Sequence, residues 1–264
     1  MPFVEANGVC LHTQRGRAPE KKPLVFINSL GTDFRIWRRL AHELRGRFGF
    51  LYYDKRGHGL SSPGGPPWTM EGHVSDLAAL MDVQGIKDAI ICGISVGGQI
   101  ALGLSAARPD LVSALVLCDT AHKIGTHETW DARIAQVSAE GIASVWPLTE
   151  KAWFTEAFRK TRACDVTGWR NMVVNCPVGG YIGTCMAIRD TDYEREARAV
   201  RAPTLVLCGD SDGSTPPALV KGMAEIIPGA EYHEIENAAH MICIEQPAAM
   251  AGRILDFAER HGLA

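Results

Sequence analysis

The fold is decided by residues 90–101, which read IICGISVGGQIA and place one serine where an apolar strand gives way to a small-residue helix. Around Ser95 the sequence forms the pattern Gly-x-Ser-x-Gly, from Gly93 to Gly97. A serine on so sharp a turn needs a positive φ, and the chain closes around it only where neighbouring residues lack side chains. The free N–H groups that begin the helix point back towards the serine and would stabilise negative charge there. A structural glycine-rich turn produces the same pattern, so the rest of the chain must decide between the two.

The composition of the chain restricts the class of protein. Its 264 residues suffice for one large α/β domain or two small ones, and we expect a single domain with an insertion. Hydrophobic residues make up 46% and charged residues 22%, with a formal net charge of −3. Such a balance offers no basic surface for phosphates, so nucleic acid is not expected as a partner.

The start of the chain and its cysteines predict a cytoplasmic protein. Residues 1–3 (Met-Pro-Phe) lack the basic and apolar regions of a signal peptide, and no segment approaches the roughly 20 apolar residues that span a bilayer. The eight cysteines are scattered, mostly within apolar runs, and form no Cys-x-x-Cys pair. We therefore expect buried free thiols, among them Cys92, Cys118, Cys208 and Cys243, and no metal.

Hydrophobic periodicity predicts strands that alternate with helices. Asn7-Gly8 is a strong turn signal and predicts a hairpin of edge strands over residues 3–15. Continuous apolar runs of strand length are typical of parallel strands covered on both faces. The predicted strands are 23–28, 48–54, 88–95, 112–118, 203–209 and 231–236, and the predicted helices are 33–44, 69–83, 96–108, one from 216 and one from 247. This alternation indicates a mostly parallel, doubly wound sheet.

The strand signal stops between residues 122 and 201. This interval reads as several helices with four tryptophans spread through it. We interpret residues 122–201 as an inserted helical cap, and residues 1–121 and 202–264 as the core. Because no low-complexity or charged linker separates the two, we expect them to form one compact body.

Polar loops follow the predicted strands, at the sheet edge where ligands bind in open parallel sheets. These loops carry Ser95, several carboxylates and His240, in the chain order Ser, Asp, His. A serine hydroxyl becomes nucleophilic when a histidine takes its proton and a carboxylate orients that histidine. Asp119, Asp210 and Asp212 are all candidates for the carboxylate. We favour Asp212, because its loop has room to reach a histidine on the neighbouring loop.

Four segments together resemble the α/β-hydrolase superfamily over nearly the whole chain. They are GISVGG at 93–98, DKRGHGLS at 54–61, GDSD at 209–212 and NAAH at 237–240. The resemblance implies that Ser95 is the nucleophile, Asp212 the acid and His240 the base. It also implies an oxyanion hole made by the backbone N–H groups of Leu30 and Val96. Many relatives carry His-Gly before the first donor, but a backbone donor tolerates the different residues found here.

A narrower resemblance, to the bacterial 3-oxoadipate enol-lactonases of aromatic catabolism, lies in NSLGTD at 28–33 and in residues 118–126 leading into the cap. It implies hydrolysis of a small carboxylated enol-lactone to 3-oxoadipate, without metal or organic cofactor. Arg133 would bind the substrate carboxylate and Trp130, one turn earlier, would stack on the substrate. The alternatives are a solvated helix arginine and a tryptophan that packs on the sheet.

Two other functions fit the same residues. One is a general small-ester hydrolase, with the perhydrolase activity of the cofactor-free haloperoxidases, whose serine turn is similar. The other is a ligand receptor that keeps the pocket and signals through its cap to a partner. Relative rates on enol-lactones and simple esters separate the two enzymes, and rapid turnover without a partner excludes the receptor. The oligomeric state is not indicated by the sequence.

Overall fold

The computed structural model describes residues 2–16, 18 and 20–263. Its strands are β1 (Phe3–Ala6), β2 (Val9–Arg15), β3 (Pro23–Ile27), β4 (Gly49–Tyr53), β5 (Ala89–Ile94), β6 (Val112–Cys118), β7 (Thr204–Gly209) and β8 (Glu231–Ile235). They form one sheet of eight strands in the order β1-β2-β4-β3-β5-β6-β7-β8. The pairs β1–β2 and β2–β4 are antiparallel, and all later pairs are parallel. The predicted mostly parallel sheet is confirmed.

Twelve α-helices accompany the described strands. They are α1 (Arg38–Glu43), α2 (Met70–Val83), α3 (Val96–Ala107), α4 (His127–Glu140), α5 (Trp146–Trp153), α6 (Glu156–Thr161), α7 (Ala163–Val174), α8 (Val178–Arg189), α9 (Glu194–Ala199), α10 (Pro217–Ile226), α11 (Ile242–Glu245) and α12 (Pro247–Arg260). Helix α1 packs against α12, and α2 packs against α3. The short α11 is not predicted from the sequence, because four residues span little more than one helical turn and show no periodicity.

The predicted edge hairpin and the predicted buried parallel strands are both present, and their environments explain the sequence patterns. In the β1–β2 hairpin, Asn7 and Gly8 have φ values of 51° and 70°. Both values are left-handed, as the two-residue turn that matches strand twist requires. Every residue of β5 and of β7 is buried. Continuous apolar runs are therefore found where helices cover both faces of the sheet.

Helices α4 to α9 lie between β6 and β7, in the interval where the sequence predicts a helical insertion, and we call them the cap. Within the cap, α4 packs against α8, and α7 contacts both α5 and α6. Helices α2 and α3 of the core contact α8 and α9 respectively. The division of the chain at residues 121 and 201 into separate units stays a prediction.

All eight cysteines are free, and six of them are buried. The four thiols predicted to be buried are among these six, and Cys10 and Cys164 are exposed. Within the described residues, no helix combines the length and the hydrophobicity needed to span a membrane.

Candidate active site

Ser95 stands between β5 and α3 in a strained turn. Its φ and ψ are 57° and −125°, and its N–H donates to the Cys118 carbonyl at 3.0 Å. The turn is possible because two neighbours lack side chains. A Cβ on Gly93 would lie 2.2 Å from the Gly97 carbonyl oxygen, and a Cβ on Gly97 would lie 2.2 Å from the Ile27 carbonyl oxygen. The turn places Ser95 at the carboxyl end of β5, and the residue is 9% exposed.

His240 follows β8 and contacts Asp212, which follows β7. Its Nδ1 lies 2.9 Å from Asp212 Oδ2 and 3.1 Å from Oδ1. The carboxylate also accepts bonds from the Thr215 hydroxyl at 2.6 Å and from the Ser214 N–H at 2.7 Å. Burial raises the pKa of Asp212, but the electrostatic interaction with His240 and these hydrogen bonds outweigh it and keep the pKa below its ordinary value. An ionised carboxylate only accepts hydrogen bonds, so the Nδ1 of His240 is the donor in this contact and Nε2 is left as an acceptor.

The other two candidate carboxylates do not contact His240 in the described structure. Asp210 accepts from the N–H groups of Asn237 at 2.9 Å and Ala238 at 3.3 Å. Asp119 directly follows β6, and its Oδ1 accepts from the Gly209 N–H at 2.8 Å. Three polar side chains meet behind this strand end: one carboxylate oxygen of Asp119, one of Asp212 and the Sγ of Cys208 lie within 4.8 Å of one another.

Asp119 is held in its neutral form. Its side chain is fully buried, and its Oδ2 has no hydrogen-bond partner among the described residues. Burial, together with the nearby charge of Asp212, raises the pKa of Asp119 well above its ordinary value. Two carboxylates this close cannot both ionise without a large cost in free energy, so Asp212 carries the charge and Asp119 the proton.

The loop after β3 presents the first predicted oxyanion donor. Within the described chain, the N–H groups of Leu30 and Val96 have no hydrogen-bond partner. Val96 is the first residue of α3, where backbone N–H groups lack intrahelical acceptors. The next amide in the loop, that of Gly31, donates to His58 Nε2 at 3.0 Å. Both unpartnered amides therefore remain available to a ligand.

His58 holds that loop as a neutral side chain. Its Nδ1 lies 3.1 Å from the Arg56 carbonyl oxygen, so Nδ1 donates and Nε2 accepts from Gly31. Burial lowers the pKa of His58 well below its ordinary value, with the charge of Lys55 acting in the same direction. Arg56 itself pairs with the buried carboxylate of Asp76 in α2, so its charge is neutralised within the core.

A pocket of about 430 Å³ brings the core loops and the cap together. From the core it is lined by Leu30, Ser95 and His240, and from the cap by Trp130 and Arg133. A larger groove of about 900 Å³ lies between residues 31–39, which lead into α1, and helix α7. Neither Ser95 nor His240 lines that groove, so the smaller pocket is the candidate site. Its volume suits a small organic ligand.

Arg133 brings a positive charge into this pocket. Its Nη1 donates to the Tyr181 hydroxyl at 3.1 Å, and its Cζ lies 5.7 Å from the centre of the Trp130 ring. Trp130 is fixed in turn by a bond of 2.6 Å from its Nε1 to the Ile124 carbonyl oxygen. Among the described residues, no carboxylate lies within ion-pair distance of Arg133. The guanidinium group is therefore oriented but not neutralised, and it can bind an anionic ligand.

Sequence reasoning missed several side chains that support the site. Thr215, which bonds Asp212, lies three residues after it, and such short-range turns of Asp with Thr are recognisable in a sequence. Tyr181 and His58 carry no comparable signal. Tyr181 lies on α8, 48 residues from Arg133, and His58 lies 27 residues from Gly31. Their contacts depend on how distant elements pack.

The strand order, the strained serine turn and the histidine–carboxylate contact together define an α/β hydrolase. The model of the alpha/beta hydrolase family matches residues 24–253. The chain therefore belongs to the α/β-hydrolase family.

Within this family, the chain is similar to proteins named as enol-lactonases. It is 29% identical over 246 residues to 3-oxoadipate enol-lactonase 2 of Acinetobacter baylyi, with 93% of this chain and 92% of that protein covered. The crystal structure of the enol-lactonase from Burkholderia xenovorans LB400 superposes with a TM-score of 0.94 at 33% identity, covering 98% of this chain and 100% of that one. A hydrolase from Pseudomonas aeruginosa superposes with a TM-score of 0.91 at 31% identity, and 97% of each chain is covered.

Proposed function

We propose that this protein is a serine hydrolase that opens a small carboxylated enol-lactone, converting 3-oxoadipate enol-lactone to 3-oxoadipate in the catabolism of aromatic compounds. The observation that carries the proposal is the unneutralised guanidinium of Arg133 in the same pocket as Ser95 and His240. A neutral ester makes no use of that charge, whereas a lactone with a carboxylate side chain does. The similarity to a 3-oxoadipate enol-lactonase and to a second protein named as an enol-lactonase supports a substrate of this class.

In the first half of the proposed reaction, Ser95 Oγ attacks the lactone carbonyl carbon while His240 Nε2 accepts the hydroxyl proton. Asp212 stabilises the imidazolium through its contact with Nδ1 at 2.9 Å. The negative charge that develops on the carbonyl oxygen is bound by the N–H groups of Leu30 and Val96. Both donors are backbone groups held in place before the substrate arrives, so they need no reorganisation during the reaction.

The intermediate collapses by breaking the bond between the acyl carbon and the ring oxygen. The leaving group is an enolate, which is more stable than the alkoxide released from a saturated lactone. Protonation of the enolate by the His240 imidazolium gives the enol, which becomes the ketone. Water activated by the now neutral His240 then attacks the acyl-serine, and Ser95 is released together with the second carboxylate of the product.

The cap residues orient the substrate in this proposal. Arg133 binds the carboxylate that does not react, and Trp130 packs against the carbon skeleton beside it. The Tyr181 hydroxyl and the Trp130 ring hold the guanidinium on two sides, so less side-chain freedom is lost when the substrate binds. Substrate selection is thereby assigned to the cap, and bond breaking to the loops of the core.

A rate panel tests the proposed function. Initial rates are measured on the carboxylated enol-lactone, by the fall in its ultraviolet absorbance, and on a saturated lactone and p-nitrophenyl acetate. We expect kcat/KM to be highest on the enol-lactone and to be lost in Ser95→Ala. Undiminished turnover by Ser95→Ala would end the serine mechanism. Equal rates on the enol-lactone and the neutral ester would instead identify a general small-ester hydrolase.

A further inference from the structure

Lys55 is a buried cation directly behind the loop that carries Leu30. The side chain follows β4, is 1% exposed, and donates from Nζ to the Ser29 carbonyl oxygen at 2.6 Å. The Thr32 hydroxyl donates to the same oxygen at 2.9 Å. Burying an ammonium group costs free energy unless it gains strong interactions, and this carbonyl is the hydrogen-bond acceptor that Lys55 has in the described structure.

The bonded carbonyl and the oxyanion donor belong to one peptide group. The carbonyl of Ser29 is conjugated with the nitrogen of Leu30, because the peptide C–N bond has partial double-bond character. A cation bound to the carbonyl oxygen draws electron density from that nitrogen and makes its N–H a stronger donor. Hydrogen bonds in series strengthen one another in this way where the local dielectric is low.

We propose that Lys55 is a positioning residue of the oxyanion hole, whose ammonium group fixes the Ser29–Leu30 peptide and increases the strength of the Leu30 N–H as a donor. The proposal rests on the serine mechanism given above, in which that N–H binds the developing oxyanion. The ammonium never touches the substrate. It acts through the peptide, in the transition state more than in the bound substrate, because the negative charge exists only there.

The surroundings of Lys55 make this function sensitive to pH. The titratable groups that interact with Lys55 are Asp33, Asp54, His58, His73 and Cys176. Burial lowers the pKa of Lys55 to about 7, against the opposing influence of Cys176 and of the two carboxylates. The two histidines are neutral, since burial lowers the pKa of each. As the pH rises through the pKa of Lys55, the ammonium becomes an amine, which donates a weaker hydrogen bond to Ser29.

The test compares the full-length wild-type enzyme with Lys55→Met. The methionine side chain is similar in length to that of lysine but carries no charge. Hydrolysis of p-nitrophenyl acetate is followed from pH 5.5 to 9.5, since a neutral substrate does not titrate there. For the wild type we expect kcat to fall above about pH 7, when Lys55 loses its proton. For Lys55→Met we expect kcat about 10- to 100-fold lower at pH 6.5, less than the 100- to 1000-fold typical of a lost oxyanion donor, with little change in KM. The variant should also lack the decrease at high pH.

Thr32→Val is the matched variant. It removes the Thr32 hydroxyl as a donor to the Ser29 carbonyl but leaves the cation, so its kcat should still fall above about pH 7. If Lys55→Met does not fold, the dependence of the wild-type kcat on pH still tests the proposal. A wild-type kcat that stays constant from pH 7 to 9.5 overturns it. A folded Lys55→Met with wild-type kcat and pH profile overturns it as well. Ser95→Ala separates the two hypotheses: if that variant stays active the serine mechanism fails, and if it is inactive while Lys55→Met is unaffected only the role of Lys55 fails.

Discussion

The Asp212→Asn substitution changes a single atom in the contact with His240. Oδ1 of Asp212 accepts from the N–H groups of Ser214 at 2.7 Å and Thr215 at 3.1 Å. An asparagine satisfies both donors only if its oxygen occupies this position, which turns its NH₂ group towards His240 Nδ1 in place of an oxygen at 2.9 Å. The amide then donates to Nδ1, and the histidine proton moves to Nε2.

A histidine protonated on Nε2 cannot accept the hydroxyl proton of Ser95, so the variant lacks its general base at neutral pH. We expect kcat to fall about 10⁴-fold, the loss that the same change of tautomer causes in serine proteases. At about 1.4 kcal/mol for each factor of ten, this raises the barrier by about 5.5 kcal/mol. KM should change little, because Asp212 is not among the residues that line the pocket.

The assay measures initial rates on the enol-lactone and on p-nitrophenyl acetate at pH 7. Asp210→Asn is the matched control, because Asp210 lies on the same loop but bonds the backbone of Asn237 and Ala238 and not His240. It should keep turnover within a few-fold of the wild type. Turnover by Asp212→Asn within tenfold of the wild type would refute the assignment. The acid would then be sought in Asp119, by combining the two substitutions.

Two further predictions concern the cap and the second buried carboxyl group. Arg133→Met should raise KM for the carboxylated enol-lactone about 10- to 100-fold, since a charged hydrogen-bonded contact of about 1.5 to 3 kcal/mol is lost. KM for p-nitrophenyl acetate should hardly change, and an equal effect on both substrates would contradict the role of Arg133 in binding the carboxylate. The raised pKa of Asp119 means that the folded protein keeps a proton which the unfolded chain loses above about pH 4. Its contribution to the free energy of unfolding therefore decreases with rising pH by up to about 1.4 kcal/mol per unit. Asp119→Asn cannot ionise, so it should gain stability relative to the wild type between pH 5 and 8. The free energy of unfolding of both proteins is measured by urea denaturation between pH 5 and 8. A difference between them that does not change with pH would refute a neutral Asp119.

Local patterns in the sequence sufficed to predict most of the fold. The apolar runs that became β3, β5, β6 and β7 are recognisable because strands covered on both faces contain almost no polar residues. The serine turn is recognisable because its backbone excludes Cβ atoms at Gly93 and Gly97. These constraints act within a few residues of the chain, so each produces a short sequence pattern that can be recognised. The four-residue helix α11 produces no such pattern, because it is too short to show a helical periodicity.

The candidate site was predictable in its chemistry but not in its geometry. A serine, a histidine and three possible carboxylates follow the predicted strands, and the sequence favours Asp212 among them without excluding Asp119 or Asp210. The structure brings Asp212 to 2.9 Å from His240 and directs Asp119 to the Gly209 amide. The loops after β7 and β8 meet because these strands are parallel neighbours. The choice among the carboxylates is a property of the packed sheet.

By itself the sequence determined the sheet, the run of helices between β6 and β7 and the kinds of side chain at the strand ends, because periodicity and turn chemistry depend on residues that are close together in the chain. Tertiary structure alone decided which distant groups meet. It placed Tyr181 against Arg133, His58 against the Gly31 amide and Lys55 against the carbonyl of Ser29. Each contact joins residues 26 or more positions apart: two of them bring loops of the core together, and the third joins α4 to α8 within the cap. The burial that shifts the pKa values of Lys55, His58 and Asp119 likewise exists only in the folded protein, because it depends on what the packed chain keeps away from water.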